Sequence, residues 1–447
     1  MKLALAGCLS VAVTVLLSSI AFAQARIDQA FTVGENVLVS ATAAERPLVE
    51  PQVVAHPKDP KHLLAVAISS SEPPHSPQAD CAAFVSFDGG QSWAQHNFGI
   101  SNCGDPWVAL REDGTALFAG LTTRGEIRLF RSGDSGRSWL PVPLDIGRGH
   151  DHQTLVVDPT AGSRAGSFYL VSGRMQRDKS GRGAASVFVT RSGDGGKMFT
   201  PPTNFVPNSL NNNVLTPAIL SDGTLIVPFI DYQDHPGDHG ATATLERRRV
   251  WATLSSDGGQ TFSYPMFASE ACGSGGGFAS SAVDTSTGAS RDRLYLICTN
   301  RERNTVFVHN SSDRGERWSA PVRADRASGE AIFRRTPSIA VNKDGVVAVT
   351  WYERRKEGTR ECQHVYFTAS LDGGKTFLPQ ARVSSAPSCP DTPRNGQVAQ
   401  RWPAGGDYSG LTAAADGSFH VLWADSRDGI YRLWTVRVRV NAPVKPG

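Results

Sequence analysis

The chain has 447 residues and is rich in glycine (44) and proline (27), as expected for an all-β protein with many tight turns. Its 45 Lys and Arg residues nearly balance its 42 Asp and Glu residues, and no long basic block is present. This charge pattern argues against nucleic acid as a partner. Beyond the N-terminal residues, no segment is apolar enough to span a bilayer, so no membrane span is expected.

Residues 1–23 predict a cleaved signal peptide. Lys2 gives a short positive region, residues 9–20 are apolar, and Ala21-Phe22-Ala23 has the small-residue pattern of a cleavage site. The mature chain would then be a single domain, residues 24–447, in a secreted or periplasmic protein. An alternative interpretation is that residues 5–8, Leu-Ala-Gly-Cys, form the lipobox of a lipoprotein.

An eight-residue pattern, S-x-D-x-G-x-x-[W/F], occurs six times along the chain. We call each copy an octet, and the copies begin at residues 86, 132, 192, 255, 311 and 370. Successive copies start 46 to 63 residues apart, which indicates a repeat architecture. Within an octet, the glycine suits a positive φ and the aspartate can accept backbone N–H groups, so each octet predicts a structural turn.

A second repeated pattern lies between the octets. One unit has an apolar run at 107–110, the turn Asp113-Gly114 and a more apolar run at 116–121. Asp-Gly between apolar runs is a strong hairpin signal. A third strand leads into each octet and a fourth follows it, so each unit predicts a four-stranded antiparallel sheet.

Seven such hairpins can be counted, one more than the number of octets. Their starts lie near Pro51, Asp105, Asp151, Leu215, Phe278, Arg335 and Asp407. The predicted fold is therefore an all-β, six- or seven-bladed β-propeller, with seven blades favoured; merging two hairpins would give six. We expect residues 34–43 to pair as the outer strand of the last blade and to close the ring, which removes exposed sheet edges.

Six cysteines remain after the predicted signal peptide, and an even number in an exported chain suggests disulfides. Each sequential pair falls within about one repeat unit. The predicted disulfides are Cys81–Cys103, Cys272–Cys298 and Cys362–Cys389. Free buried thiols are the alternative, and no spacing resembles that of a zinc site.

In each predicted blade the first strand begins, and the second strand ends, on one face of the ring. The second-strand ends carry a recurrent arginine, at Arg124, Arg174, Arg301, either Arg354 or Arg355, and Arg427. Converging guanidinium groups would bind a carboxylate or sulfate. The alternative is that these arginines form repeated structural ion pairs.

Acidic groups and a phenol are predicted on the same face. The candidates are Asp105, Asp151, His152, Asn213, Asp407 and Tyr408 at first-strand starts, with Asp231 and Glu353 at second-strand ends. Asp105, Asp151 and Asp407 could instead hold a structural calcium ion, since hard cations prefer oxygen ligands. His152 is expected to be a polar loop residue rather than a metal ligand.

The octet resembles the Asp-box, or BNR, repeat of sialidase-like β-propellers, and two further segments resemble sialidase motifs. Residues 408–411, Tyr-Ser-Gly-Leu, resemble the Y-S-x-L that carries the family's nucleophile. Residues 299–315 place Arg301 like one member of the family's arginine triad, which Arg354 and Arg427 could complete. The resemblance implies a Tyr408 nucleophile, an activating carboxylate from Asp231 or Glu353, and an acid/base from Asp105 or Asp80.

The chain also departs from the family pattern. Sialidases are six-bladed and carry an R-I-P motif in the first blade, where this chain has Glu50-Pro51-Gln52. The nearest match to that motif is Arg335-Thr336-Pro337, which lies in the sixth unit.

Two functions are compatible with these residues. The first is a secreted, retaining exo-α-sialidase-like hydrolase acting on terminal anionic sugars of glycans. The second is a non-catalytic propeller that binds a glycan or protein through its arginine-rich face. Other propeller enzymes, such as polysaccharide lyases, are a third possibility. No cofactor is expected apart from the possible calcium ion, and the chain is expected to be a monomer.

Overall fold

The computed structural model describes residues 30–40, 46–70, 79–177, 183–205, 212–232, 248–270, 272, 280–300, 302–326, 331–390 and 393–441. The predicted signal peptide, the lipobox segment and Arg301 lie outside these residues.

Strands make up almost all of the regular structure in the described residues. In chain order they are β1 Phe31–Val33, β2 Val37–Leu38, β3 Leu48–Ala55, β4 Leu63–Ser69, β5 Asp80–Ser86, β6 Ala94–Asn97, β7 Gly104–Leu110, β8 Ala116–Leu121, β9 Ile127–Ser132, β10 Leu140–Val142, β11 His150–Val157, β12 Phe168–Arg177, β13 Gly183–Ser192, β14 Thr203–Phe205, β15 Asn212–Val214, β16 Ala218–Ile219, β17 Leu225–Tyr232, β18 Arg248–Ser255, β19 Met266–Ser269, β20 Ser280–Val283, β21 Leu294–Thr299, β22 Val306–Ser311, β23 Val322–Arg323, β24 Ala331–Val341, β25 Val347–Glu357, β26 Arg360–Ser370, β27 Ala381–Arg382, β28 Gly410–Ala413, β29 Phe419–Asp425 and β30 Arg432–Val440. A 3₁₀ turn, Pro393–Asn395, leads into the short helix α1, Gly396–Arg401.

The strands form seven antiparallel sheets, which confirms the seven-bladed propeller. Blades 1 to 6 consist of β3–β6, β7–β10, β11–β14, β15–β19, β20–β23 and β24–β27. Blade 7 combines β28–β30 with the N-terminal strand β1 at its outer edge. The predicted closure is therefore confirmed. The closing segment begins at Phe31, which pairs with Val440, rather than at Gly34.

Each blade is stabilised by burial of its second strand between the two neighbouring blades. In β4 and β29, for example, nearly every side chain is buried whichever way it points. Such strands read as continuous apolar runs because both faces of the sheet are covered. The largest fully buried side chains include Trp351 and Trp423, in the second strands of blades 6 and 7.

The octets are the turns between the third and fourth strands of blades 1 to 6. Their glycines all have a positive φ, between 81° and 89°, at Gly90, Gly136, Gly196, Gly259, Gly315 and Gly374. The N–H of each of these glycines donates to the hydroxyl of the octet serine, and that hydroxyl donates to the octet aspartate. The predicted turn role is thus seen directly.

The octets also join neighbouring blades. Arg131 Nε donates to Gly195 O at 2.7 Å, and Arg293 Nη1 donates to Gly373 O at 3.0 Å. Each of these arginines therefore fastens its blade to an octet of another blade. Because the octets follow the third strands, they lie on the face opposite to the first-strand starts.

Three disulfides connect Cys81 with Cys103, Cys272 with Cys298 and Cys362 with Cys389, as predicted. Disulfides persist in oxidising compartments, so these three suggest an extracellular or periplasmic protein. In the described part of the chain, no helix has the length and apolar character needed to cross a membrane.

Candidate active site

The innermost strands of four blades share the same irregularity. The strand register shifts across Glu50 in blade 1, Asp105 in blade 2, His152 in blade 3 and Thr336 in blade 6. Each of these residues has a left-handed backbone, with φ between 45° and 55°. Non-glycine residues rarely adopt this conformation, and strained positions of this kind cluster at functional sites.

A cavity of about 310 Å³ follows the ring axis, with lining residues from the inner edge of all seven blades. At one end it is lined by Trp107, His152 and Tyr408. The Tyr408 ring lies 5.9 Å from Trp107 and 5.7 Å from His152, measured between ring centroids. Two aromatic neighbours therefore hold the phenol in place from blades 2 and 3.

Carboxyl groups from three blades surround this phenol. The Tyr408 hydroxyl donates to Asp105 Oδ1 over 3.5 Å, and the Asp407 N–H donates to Glu50 Oε1 at 3.2 Å. Tyr408 and Glu50 are both buried. We call Glu50, Asp105, Asp407 and Tyr408 the acid–phenol cluster.

Burial and neighbouring negative charges favour the protonated forms of Glu50, Asp105 and Tyr408. Burial, followed by the charges of Asp151 and Asp407, raises the pKa of Asp105 to about 7. Burial and the charge of Asp105 likewise raise the pKa of Glu50. The pKa of Tyr408 is raised by burial and then by the Glu50 and Asp105 carboxylates. The phenol therefore stays neutral at pH 7, beside a carboxyl group that can both accept and donate a proton.

Three arginines from blades 5 and 6 form a second group, which we call the arginine cluster. Arg303 and Arg354 both pack on Phe333, with guanidinium carbons 5.1 and 5.6 Å from its ring centroid. Burial, followed by the charges of Arg303 and Arg354, lowers the pKa of Arg335 to about 10. Arg335 Nε is buried and has no hydrogen-bond partner among the described residues. Like charges held this closely favour an anion between them.

Asp407 connects the two clusters. It belongs to the acid–phenol cluster, and its negative charge opposes the lowering of the pKa of Arg335 in the arginine cluster. Its Oδ2 also lies 3.4 Å from Nη2 of Arg401, which belongs to neither cluster. The face thus has an acidic half on blades 7, 1 and 2 and a basic half on blades 5 and 6. A ligand bound across Asp407 would meet both halves.

The structure brings Tyr408, Asp105, Asp407 and His152 together, but it places the two predicted activating carboxylates elsewhere. Glu353 is fully buried and accepts a hydrogen bond from Arg355 Nε at 2.7 Å. Asp231 is buried in β17, where it pairs across the sheet with Asn212 and Arg249.

The predicted arginines also separate. Arg427 donates to Asp425 at 2.6 Å, and Arg174 Nε donates to Arg148 O at 3.3 Å. Arg124 is exposed in the turn between β8 and β9. Of the predicted arginines in the described residues, Arg354 is the one that belongs to the arginine cluster. It also forms an ion pair with Glu361.

Sequence reasoning missed Glu50, Arg303 and Arg335 as site residues. A signal was present, because a proline follows the bulge residue in Glu50-Pro51, Asp105-Pro106 and Thr336-Pro337. Asp80, the other acid/base candidate, accepts hydrogen bonds from the backbone N–H groups of Cys81 and Ile100.

The proposal that Asp105, Asp151 and Asp407 hold a calcium ion stays a prediction from the sequence. Among the described residues, the one trio of His, Cys, Asp or Glu with ligand atoms within 4.8 Å of one another is Cys272, Cys298 and His309. Two of its members form a disulfide. His152 Nδ1 forms a hydrogen bond with Val214 O at 2.8 Å, and this bond orients the ring.

Comparison with solved structures shows which known proteins have a similar fold. The chain is similar to the Hadza microbial sialidase Hz136, with a TM-score of 0.51 and 16% identity over 92% of this chain and 69% of that one. The fold is that of a sialidase-like β-propeller. At this identity the likeness concerns the fold alone.

Two further structures are less similar. YCF48 bound to a D1 peptide gives a TM-score of 0.48 and 14% identity, over 92% of this chain and 97% of that one. Trypanosoma rangeli sialidase in complex with the inhibitor DANA gives 0.43 and 14%, over 91% and 59%. No family model matches the chain, and no curated protein matches it.

Proposed function

We propose that this protein is an exported, retaining exo-glycosidase of the sialidase type, which removes terminal anionic sugars from glycans. One observation carries the proposal: the Tyr408 hydroxyl lies 3.5 Å from Asp105 Oδ1, within hydrogen-bonding reach of a proton acceptor. A neutral phenol suits a nucleophile that must approach beside the negative charge of such a sugar.

In the first step, the Tyr408 oxygen attacks the anomeric carbon and transfers its proton to Asp105. The glycosidic bond breaks, and the leaving oxygen takes a proton from a water molecule on the face of the sugar opposite to Tyr408. In the second step, water attacks the anomeric carbon from that face and gives its proton to solvent. The Tyr408 oxygen leaves and recovers its proton from Asp105. Two displacements at one carbon retain its configuration.

The arginine cluster would recognise the anionic group of the sugar. Arg303, Arg335 and Arg354 concentrate positive charge near Asp407, the residue next to Tyr408 in the chain, and Arg335 Nε is buried without a hydrogen-bond partner among the described residues. A carboxylate can accept two parallel hydrogen bonds from one guanidinium group. A neutral sugar would leave the buried Arg335 Nε unpaired, and the site would discriminate against it.

The decisive experiment compares the wild type with Tyr408→Phe on a fluorogenic sialoside and on a matched neutral glycoside. We expect turnover of the sialoside alone, and at least about a 100-fold loss of kcat in the variant. Equal rates for the wild type and Tyr408→Phe, with both folded, would show that the phenol is not the nucleophile.

A second candidate function is binding without turnover. It is favoured by Glu50, which stands where a sialidase-like first blade carries an arginine, and by the burial of Tyr408, which is only 7% exposed. In that case the wild type would bind N-acetylneuraminic acid with no hydrolysis of the sialoside, and Arg335→Met would weaken that binding.

A further inference from the structure

A third group of charges, Arg334, Asp325 and Glu353, adjoins the arginine cluster and is buried within the protein. The Arg334 side chain is 3% exposed, and the Asp325 and Glu353 side chains are 0% exposed. Arg334 Nε lies 3.0 Å from Asp325 Oδ2, and Arg334 Nη2 lies 3.2 Å from Glu353 Oε2. One guanidinium group therefore joins two buried carboxylates, one from blade 5 and one from blade 6.

Arg334 also holds the loop that carries Arg303. The Arg334 N–H donates to Arg303 O at 2.6 Å, and its Nη1 donates to Asn304 O. Arg303 itself has a left-handed backbone, with φ 56°. A non-glycine residue keeps such a conformation only when its surroundings impose it. These two contacts fix two successive backbone carbonyl groups, those of Arg303 and Asn304.

Strand alternation transmits the same constraint to the other two arginines. In blade 6, Arg334 is the direct cross-strand partner of Glu353. The next residue on each strand belongs to the arginine cluster, namely Arg335 on β24 and Arg354 on β25. Successive side chains on a strand point to opposite faces, so fixing Arg334 and Glu353 on one face orients Arg335 and Arg354 on the other.

The remaining contacts brace the carboxylates. Arg355 Nε donates to Glu353 Oε1 at 2.7 Å, and Arg323 Nη2 lies 2.9 Å from Asp325 Oδ2. Asp325 Oδ1 also accepts the Val306 N–H at 2.7 Å. Because breaking a buried ion pair leaves an uncompensated charge in the core, these groups have few alternative positions.

We infer that Arg334, Asp325 and Glu353 are positioning residues that set the spacing of Arg303, Arg335 and Arg354 for an anionic ligand. Arg334 is enclosed by protein groups and does not itself meet the ligand. The ligand class rests on the proposed function, whereas the positioning role rests on the contacts described here.

The test uses Glu353→Gln, which keeps the side-chain shape, and Arg334→Lys, which keeps the charge but loses the planar, multi-donor group. The matched control is Asp416→Asn, which breaks the ion pairs of Asp416 with Arg437 and Arg439, far along the chain from the cluster. Crystal structures and thermal unfolding are measured for each protein. Binding of inorganic sulfate, N-acetylneuraminic acid and neutral N-acetylmannosamine is measured by calorimetry.

We expect the Glu353→Gln crystal structure to show the guanidinium groups of Arg303, Arg335 and Arg354 displaced by about 1 Å or more, because a positioned site is sensitive to shifts of that size. KM for the sialoside, or the Kd for sulfate, should rise about 10-fold or more, with little change for the control. Arg334→Lys gives the same result if Glu353→Gln does not fold. Unmoved arginines and unchanged affinity in a folded variant would overturn the inference.

The two proposals fail separately. Loss of the proposed function shows as absent sialoside turnover in the wild type, whatever the crystal structures show. Failure of the positioning role shows as an undisturbed arginine cluster in Glu353→Gln, whatever the wild type hydrolyses.

Discussion

The Tyr408 hydroxyl and Asp105 Oδ1 lie 3.5 Å apart although the two residues are 303 positions apart in the chain. Blade 7 supplies the phenol and blade 2 supplies the carboxylate, so the contact exists only after the ring has closed. Burial and neighbouring charges raise the pKa of this carboxyl to about 7, the range in which a general base works best at neutral pH.

Asp105→Asn should lower kcat for the sialoside by about 100-fold or more, because the amide cannot accept the phenol proton. In the wild type, activity should rise as the pH increases through about 7, where Asp105 loses its proton. That rise should be absent from the pH–rate profile of the variant. A variant with the same rising limb would exclude Asp105 as the group responsible.

The same carboxyl predicts a pH-dependent stability. Its pKa is higher in the folded than in the unfolded chain, so the folded state binds more protons between about pH 4 and 7, and the free energy of unfolding decreases as the pH rises through that window. Asp105→Asn removes this loss. Tm of the variant should exceed that of the wild type by about 2 °C or more at pH 8, with a smaller difference at pH 4. A wild type more stable at pH 8 than the variant would contradict this.

Arg335→Met should weaken binding of N-acetylneuraminic acid by about 10- to 100-fold, because hydrogen bonds to a charged partner are lost in a partly buried site. Arg128→Met is the matched control, since Arg128 is exposed, lies on blade 2 and pairs with Glu126 of the same blade. Calorimetric titration measures both. An Arg335→Met protein that binds the sugar as tightly as the control would remove the arginine cluster from the site.

The octets should affect stability without affecting the site. Asp257 Oδ1 accepts hydrogen bonds from the Gln260 and Thr261 N–H groups at 3.0 Å. Although partial burial opposes it, bonds from Thr261, Ser255 and Gln260 lower the pKa of Asp257 to about 2. Asp257→Ala should reduce the free energy of unfolding by about 1–2 kcal/mol at pH 7. Since the wild-type aspartate is protonated at low pH, this difference should shrink as the pH falls from about 4 to 2.

For that variant, thermal unfolding gives the stability, and kcat for the sialoside gives the function. An unchanged kcat is expected because the octets lie on the face opposite to Tyr408. A large loss of kcat with an unchanged Tm would mean that this face takes part in the reaction.

Removing one disulfide tests how the ring is stabilised. Cys81 and Cys103 are 22 residues apart and are buried in the hydrophobic core that blades 1 and 2 share. Replacing both with alanine should cost about 3 kcal/mol, mainly by releasing the unfolded chain from a closed loop. Denaturant unfolding under oxidising conditions measures the change. The same stability in both proteins would show that the bond contributes little.

Local chemistry explains what could be predicted from the sequence. The octets repeat serine, aspartate and glycine at fixed offsets because each turn satisfies its own backbone groups, so the pattern reports the turn wherever it occurs. Likewise, each disulfide joins cysteines within about one unit. The N-terminal closure was predictable too, because blade 7 otherwise lacks an outer strand, although Phe31 rather than Gly34 begins it.

The candidate site depends on which residues of separate blades meet in the folded ring. The sequence determined the seven blades, the turns, the disulfides and the face that carries Asp105, Asp407 and Tyr408, because these follow from short-range spacing and strand alternation. Only the tertiary structure decided that Glu50 and Asp105, rather than Asp231 or Glu353, surround Tyr408, and that Arg303 and Arg335 join Arg354. The physical reason is that these residues come from separate blades, and closure of the ring, with its left-handed bulges, sets which side chains meet at the axis.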